Sequence, residues 1–287
     1  MRVAIIGANG QLGSDLVEVF GSDSSFEVVP LTHSDLDVTI LDTLEVLKKL
    51  KPDVIINTAA YVRVDDAELY PEKAFQVNAI GALNVARVAE EIDAVNVYIS
   101  TDYVFDGSKG EPYTEEDIPN PINVYGLSKY AGEIFTKNYS RKHYIIRVAS
   151  LYGKAGASGK GGNFVEFMVQ KAKRGEEIRV VDDQFMSPTY TKDVARTLKK
   201  LLELKPEFGV YHMVNDGFCS WYEFTKAIFE ILGWEVDVRP IKSDELKRLA
   251  KRPRFSALRN KRLEGLGLKM RPWRSALKEY LREKGYI

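Results

Sequence analysis

Cysteine is almost missing from this chain: Cys219 is the only one in 287 residues. No internal disulfide can form, and a reducing compartment is expected. Histidine is scarce as well, with three residues and no metal-ligand spacing among them and the cysteine, so no bound metal is assigned to the chain's own side chains. Charge of one sign is not in excess. Lys+Arg and Asp+Glu number 41 each, which gives no reason to expect nucleic acid or a membrane surface as a partner. No apolar run approaches the roughly 20 residues a membrane-spanning helix needs, and the first residues run straight into a glycine turn, too short for a signal peptide. A cytoplasmic location is expected. Repeats and low-complexity tracts are also lacking.

What is present suits a globular chain, long enough for one large domain or two modest ones around a shared core. Val3-Ala-Ile-Ile6 is the apolar, branched run that a strand buried on both faces requires. Gly7-Ala-Asn9-Gly10-Gln11-Leu12-Gly13 follows and opens a helical pattern that continues from Ser14 to Phe20. Glycines there permit a tight turn, close approach of backbone to a pyrophosphate, and close packing of helix on strand. The helix N-terminus adds free N–H groups that favour phosphate. The spacing is G-x-x-G-x-x-G, so its place between the first strand and first helix carries much of the inference toward a dinucleotide cofactor. Residues 26–31 read as the second strand, and the residue after it selects between cofactors. Thr32 and His33 stand there without an acid, which favours NADP(H) over NAD(H). Asp37, followed by Val38, is placed for an adenine edge or, equally, as the cap of a helix over 41–50.

Residues 53–57 read as another buried strand, ending in Thr58-Ala59-Ala60-Tyr61, small enough to let a cofactor lie against backbone. Asn78, on the next helix, is read as a clamp on that strand end and is counted with the cofactor residues. Residues 95–100 deliver Thr101 to the carboxyl end of the sheet. Its hydroxyl can donate to a substrate carbonyl and stabilise developing negative charge. The stretch Pro121-Ile-Asn-Val-Tyr125-Gly-Leu-Ser-Lys129 then places Tyr125 and Lys129 at i and i+4 on one helix face. An ammonium fixed beside a phenol is expected to lower its pKa from about 10 and fit it to trade a proton with a sugar or alcohol oxygen. Residues 108–120, with Gly110, Pro112, Pro119 and several acids, read as a surface lid feeding that helix.

Residues 143–148 are expected as a sixth strand. The basic, glycine-rich stretch 154–162 reads as a substrate loop whose lysines and N–H groups meet phosphates, or as a plain linker. Helices are expected over 163–174 and 192–204, a strand over 177–181, and a return to the sheet over 209–215. Ser220-Trp-Tyr-Glu223 has capping-box spacing and opens an amphipathic helix whose Trp221, Phe224, Ile228 and Phe229 read as core. Residues 252–260 read as basic and exposed, and Cys219 as a small buried residue. The expected fold is α/β, a Rossmann-type doubly wound parallel sheet over 1–152 with 186–215 returning to it. A smaller mixed α/β substrate domain is expected from 153–185 and 216–287, mainly C-terminal segments.

Taken together, these motifs resemble the extended short-chain dehydrogenases/reductases, and among them the dTDP-4-dehydrorhamnose reductase family. The glycine turn over 7–13, the run Ser100-Thr-Asp-Tyr-Val-Phe-Asp-Gly107 and the helix Asn123-Val-Tyr-Gly-Leu-Ser-Lys-Tyr-Ala-Gly-Glu133 carry the likeness. Later matches at Gly162-Asn-Phe-Val165, Asp183-Gln184, Pro188-Thr189, Gly209-Val-Tyr-His212, Cys219 to Phe224 and Arg252-Pro253 extend it along the chain. The resemblance implies NAD(P)H-dependent reduction of the C4 keto group of a nucleotide-linked 6-deoxy-4-keto sugar, dTDP-4-dehydro-L-rhamnose to dTDP-L-rhamnose. Tyr125 would be the general acid, Lys129 would tune it and hold the nicotinamide ribose, and Thr101 would bond the carbonyl. Gly7, Asn9, Gly10, Gln11, Leu12 and Gly13 would serve the pyrophosphate. Thr32, His33, Asp37 and Val38 would serve the adenosine end, and Ala59, Ala60, Tyr61 and Asn78 the length of the cleft. Asp102, Tyr103, Ser150, Asn163 and Gln184 would lie near the sugar. The family also allows a homodimer, sometimes with magnesium at its interface.

Three positions depart from the family pattern: Ser150 stands for a tryptophan, Met186 for a glycine and Arg259 for an aspartate. The first removes a large apolar wall and bears on sugar identity more than on hydride transfer. Two other readings compete. One is a sugar-nucleotide dehydratase or epimerase, against which Tyr103 speaks, because dehydratases of this superfamily carry a glutamate there. The other is a non-catalytic, cofactor-binding regulatory subunit resembling the methionine adenosyltransferase β subunit.

Overall fold

The structure, a computed structural model, describes residues 1–156 and 162–287. Short branched apolar runs form a six-stranded sheet from β1 (Arg2–Ile6), β2 (Glu27–Leu31), β3 (Val54–Asn57), β4 (Val95–Thr101), β5 (His143–Val148) and β6 (Gly209–His212). The order is β6-β5-β4-β3-β1-β2, with every pairing parallel. Residues 143–148 therefore make the fifth strand in the chain, not the sixth, because no further sheet strand precedes them. Alternate side chains feed opposite faces. Val3, Ile5 and Val97 pack on one side with Leu16 and Phe20 of α1 (Gln11–Gly21), and Ala4, Ile6 and Ile55 on the other with Val85 and Val88. The chain leaves β1 toward β2 on one side while β3 lies on the other. Such a reversal opens a crevice at the carboxyl ends of the strands, where ligands bind in sheets of this kind.

A second core is built from Val165 and Met168 of α3 (Phe164–Lys173), Ile228 and Phe229 of α4 (Trp221–Leu232), and Leu277 and Tyr280 near the C-terminus. The capping box is formed: Ser220 accepts the Glu223 N–H at 3.1 Å, and Glu223 accepts the Ser220 N–H at 2.7 Å. Cys219 is buried beside Met186, its strand partner. Leu263 and Met270 return to the first core. No helix among the described residues is long and apolar enough to cross a membrane.

Three expectations change. Residues 108–120 are not a lid over the cleft. Asp106 gathers Ser108, Tyr113 and Asn120, Tyr113 stacks on Phe105 at 4.2 Å, and Glu115 accepts the His212 N–H, so the loop is pinned against the sheet end. The basic stretch 252–260 is mostly buried, with Pro253, Phe255, Ser256, Ala257 and Leu258 inside and Arg254 and Arg259 outside. It forms a strap across the carboxyl end of the sheet, tied by the Arg252–Asp65 pair at 2.7 Å and by backbone bonds to Phe185 and Tyr113. Finally, Asp37 caps no helix. It accepts from the N–H and hydroxyl of Thr39, and residues 41–50 begin with a tight turn, Leu41–Leu44.

Candidate active site

A cleft of about 1220 Å³ runs along the carboxyl ends of the strands. Single small-molecule pockets hold roughly 300–1,000 Å³, so there is room for a dinucleotide and a second ligand. One end is the glycine turn. Gly7 takes φ +78°, and a Cβ there would stand 2.6 Å from Thr58 Oγ1; a Cβ on Gly13 would collide with the Gly7 carbonyl. Gly10 caps α1, the first turn holds no acid, and Asn9, Gly10, Gln11 and Leu12 line the cleft at this helix N-terminus. This cradle suits a pyrophosphate. His33, Asp37 and Val38 line the adjoining wall, and Ala59, Ala60 and Tyr61 line the end of β3.

At the far end β4 delivers Thr101, and α2 (Val124–Tyr139) delivers Tyr125 and Lys129; all three line the cleft. The helix starts where it does because Asn123 accepts the Gly126 N–H at 2.7 Å. Gly126 and Gly132 let it sit close. A Cβ at Gly126 would lie 2.2 Å from the Tyr103 carbonyl, and one at Gly132 2.3 Å from the Asn78 carbonyl. Tyr125 and Tyr103 meet edge to face at 5.9 Å, with the Thr101 hydroxyl lining the same end of the cleft. Thr101 donates to Asp102 at 3.0 Å and accepts the Tyr103 N–H at 3.2 Å.

The electrostatics differ from the expected acidified phenol. Burial pushes the Tyr125 pKa well above 10, with Asp102 and Tyr103 adding to the rise and only the Thr101 hydroxyl opposing it. That direction is opposite to the lowering expected from an ammonium at Lys129. Burial draws Lys129 down to about 7, against the pull of Glu133. Both oxygens of Glu133 are already taken, by Arg147 at 2.9 and 2.7 Å and by Ser100 at 2.5 Å. Lys129 Nζ instead lies 4.2 Å above the Tyr98 ring. Burial also lifts Asp102 to about 6 and Tyr103 to about 12.

Several expected contacts fall elsewhere. Asn78 is fully buried in a wide helical turn, Gln76–Ile80, and clamps both polar backbone groups of Tyr61 while donating to Ser128. It supports the cleft without lining it. Gly13 lies beneath Gly7, and Thr32 is turned to Asp35, which accepts its N–H and hydroxyl at 2.7 Å. Gln184 sits behind the wall, its carbonyl accepting the Trp221 N–H. Asn163 reaches the cleft, but its amide is committed to Glu166, Gly153 and Tyr280 as the cap of α3. Ser150 lines the cleft in a left-handed conformation, φ +43°. Most of the loop over 154–162 lies outside the described residues. No spacing in the sequence marks the opposite wall as cleft: Phe164, Phe167, Arg174 and Trp221 line the cleft there, with the Phe164 and Trp221 rings 4.5 Å apart. Trp221 thus lines the site, although helical spacing assigned it to the core.

The parallel sheet, the glycine cradle and the Thr–Tyr–Lys group at its carboxyl edge define an oxidoreductase of the extended short-chain type. Residues 1–285 match the family described as RmlD substrate binding domain, and the chain belongs to that family. It is 39% identical over 286 residues to the spore coat polysaccharide biosynthesis protein SpsK of Bacillus subtilis, covering 99% of this chain and 98% of that one. It is 37% identical to the dTDP-4-dehydrorhamnose reductase of Aggregatibacter actinomycetemcomitans, covering 96% and 97%. The crystal structure of dTDP-4-dehydrorhamnose reductase from Bacillus anthracis in complex with NADP superposes with a TM-score of 0.93 at 42% identity, covering 98% of this chain and 99% of that one.

Proposed function

We propose that this protein reduces the C4 keto group of dTDP-4-dehydro-L-rhamnose to give dTDP-L-rhamnose, using NADPH in preference to NADH. The observation that carries the reading is the gathering of Thr101, Tyr125 and Lys129 in one cleft with the glycine cradle. The bound dinucleotide would supply hydride. Gly10, Gln11 and Leu12 would hold its pyrophosphate, His33, Asp37 and Val38 its adenosine, and Lys129 its nicotinamide ribose. Thr101 holds the substrate oxygen in place, and Tyr125 gives it a proton as it becomes an alkoxide. A phenol kept protonated by burial is suited to that direction of transfer, because an alkoxide is far the stronger base. Thr32, not an acid, stands immediately after β2, which supports NADPH, while the Asp35 carboxylate three residues on is taken by the N–H and hydroxyl of Thr32. Phe164 and Trp221 offer the aromatic faces that a nucleobase or sugar packs on, in place of the wall Ser150 does not provide.

The division into a nucleotide-binding part (1–152 with 186–215) and a substrate part (153–185 with 216–287) belongs to the same proposal, as do a cytoplasmic location and a homodimer. Among the described residues no His, Cys, Asp and Glu group could hold a metal, so a magnesium ion would have to be shared between copies. Met186 lies in the second core and does not line the cleft, so its departure from the family's glycine gives the regulatory-subunit reading no support. Oxidation of NADPH and NADH with the dTDP- and UDP-linked keto sugars tests the assignment. Turnover fastest with NADPH and the dTDP sugar supports it; tight cofactor binding without turnover of any sugar refutes it.

A further inference from the structure

Thr101 carries one hydroxyl proton, and several groups compete for its oxygen. Thr101 Oγ1 lies 3.0 Å from Asp102 Oδ1 and takes the Tyr103 N–H at 3.2 Å. A proton given to Asp102 is not available to a substrate carbonyl. An ionised Asp102 only accepts, so it draws that proton inward. A neutral Asp102 can itself donate, which turns the Thr101 proton out toward the cleft. The second oxygen of Asp102 receives the Ser256 hydroxyl at 2.5 Å, and both residues are only 3% exposed. Ser256 comes from the strap, 154 residues further along the chain. It is held in place on both sides: its N–H bonds the Phe185 carbonyl, Leu258 N–H bonds Ser187, and Arg252 forks onto Asp65.

We propose that Ser256 is a positioning residue for the reduction: it holds Asp102, and Asp102 sets the direction in which Thr101 presents its proton. The inference rests on Thr101 facing the substrate oxygen, as proposed above. Burial holds the Asp102 carboxyl at about 6, where it changes state within the working range of most enzymes. The Tyr103 and Tyr125 phenols are the titratable groups that face it, while Arg252, Arg248 and Asp65 act on Tyr103. The strap thereby joins the second core's neighbourhood to the proton that the reaction uses.

The test is the pH dependence of kcat and KM for wild type, Ser256→Ala, Ser256→Thr and Asp102→Asn. Wild-type kcat should fall as pH rises through the Asp102 titration. Ser256→Ala should lower the low-pH plateau of kcat about tenfold, because neutral Asp102 loses the bond that fixes its orientation toward Thr101, with KM for the sugar within about twofold. Its pH limb should move upward, because a donor to the ionised form is gone. Ser256→Thr, which keeps the hydroxyl, should restore both, and Asp102→Asn should erase the limb. A Ser256→Ala enzyme whose limb has not moved overturns the proposal, whether or not kcat has dropped. So does a limb that persists in Asp102→Asn, which decides the matter should the serine variant fail to fold. If Tyr125→Phe is inactive while Ser256→Ala behaves as wild type, only this inference fails; if both are fully active, the reading beneath it fails as well.

Discussion

Replacing Lys129 by methionine should stabilise the cofactor-free protein at neutral and lower pH while destroying activity. The side chain is 2% exposed, and the nearest carboxylate, Glu133, is already occupied by Arg147 and Ser100. The unfolded chain keeps a proton on this lysine up to 10.5, the folded chain only up to about 7. Between those values the unfolded state binds more protons, so wild-type stability rises with pH; below 7 the whole cost is carried. At about 1.4 kcal/mol per pH step, that cost is on the order of 5 kcal/mol. Methionine of similar length forfeits the contact with the Tyr98 ring, about 0.5–2 kcal/mol. A net gain of roughly 3–4 kcal/mol is therefore expected near pH 6. Urea unfolding of both proteins from about pH 6 to 10 measures it, and the gap should close as pH rises. A variant less stable than wild type near pH 6, or a gap that does not depend on pH, would refute the reasoning.

Three further outcomes follow from buried groups and from the second wall. Glu133→Ala leaves the Arg147 guanidinium buried without its partner and should cost about 3–5 kcal/mol in chemical denaturation; a loss under about 1 kcal/mol would mean the pair is not load-sharing in the core. His212 is buried, and burial together with Arg147 lowers its pKa to about 3. The unfolded chain binds its proton first, so stability should be lost as pH falls from 6.5 toward about 3, and His212→Gln should flatten that slope. An unchanged acid slope in that variant would contradict the assignment. Trp221→Ala should raise KM for the sugar nucleotide with a smaller effect on kcat, because the ring packs on Phe164 along the cleft rather than beside Tyr125. A kcat loss at constant KM would place it with the chemistry instead.

The parts of the site that were legible in the sequence are those fixed by short spacing. A strand, three glycines and a helix start can hardly adopt another geometry, and Tyr125 and Lys129 share a helix face at any depth of burial. Burial itself was not legible. The fall of Lys129 to about 7 and the rise of Tyr125 come from how deeply α2 sits, which Gly126 and Gly132 allow only because β4 and the wide turn at Asn78 lie where they do. Trp221 illustrates a second limit. An aromatic at helical spacing faces a core or a cleft depending on what the fold sets opposite. The strap could have been read more closely. Pro253 and Phe255 are buried with Arg254 exposed between them, but Ser256, Ala257 and Leu258 are all buried, so alternation marks only the start of the segment. The arginines suggested a solvated surface, and Ser256, flanked by them, carried no signal of its own.

The most direct measurement of the central claim is single-turnover hydride transfer in Tyr125→Phe, with NADPH affinity measured on the same protein. A proton donor at the reacting oxygen contributes about 10²–10⁴-fold, so the rate should fall by at least that lower bound while the dissociation constant stays within a few-fold. A variant that reduces the keto sugar at the wild-type rate would contradict the assignment of Tyr125 as the donor.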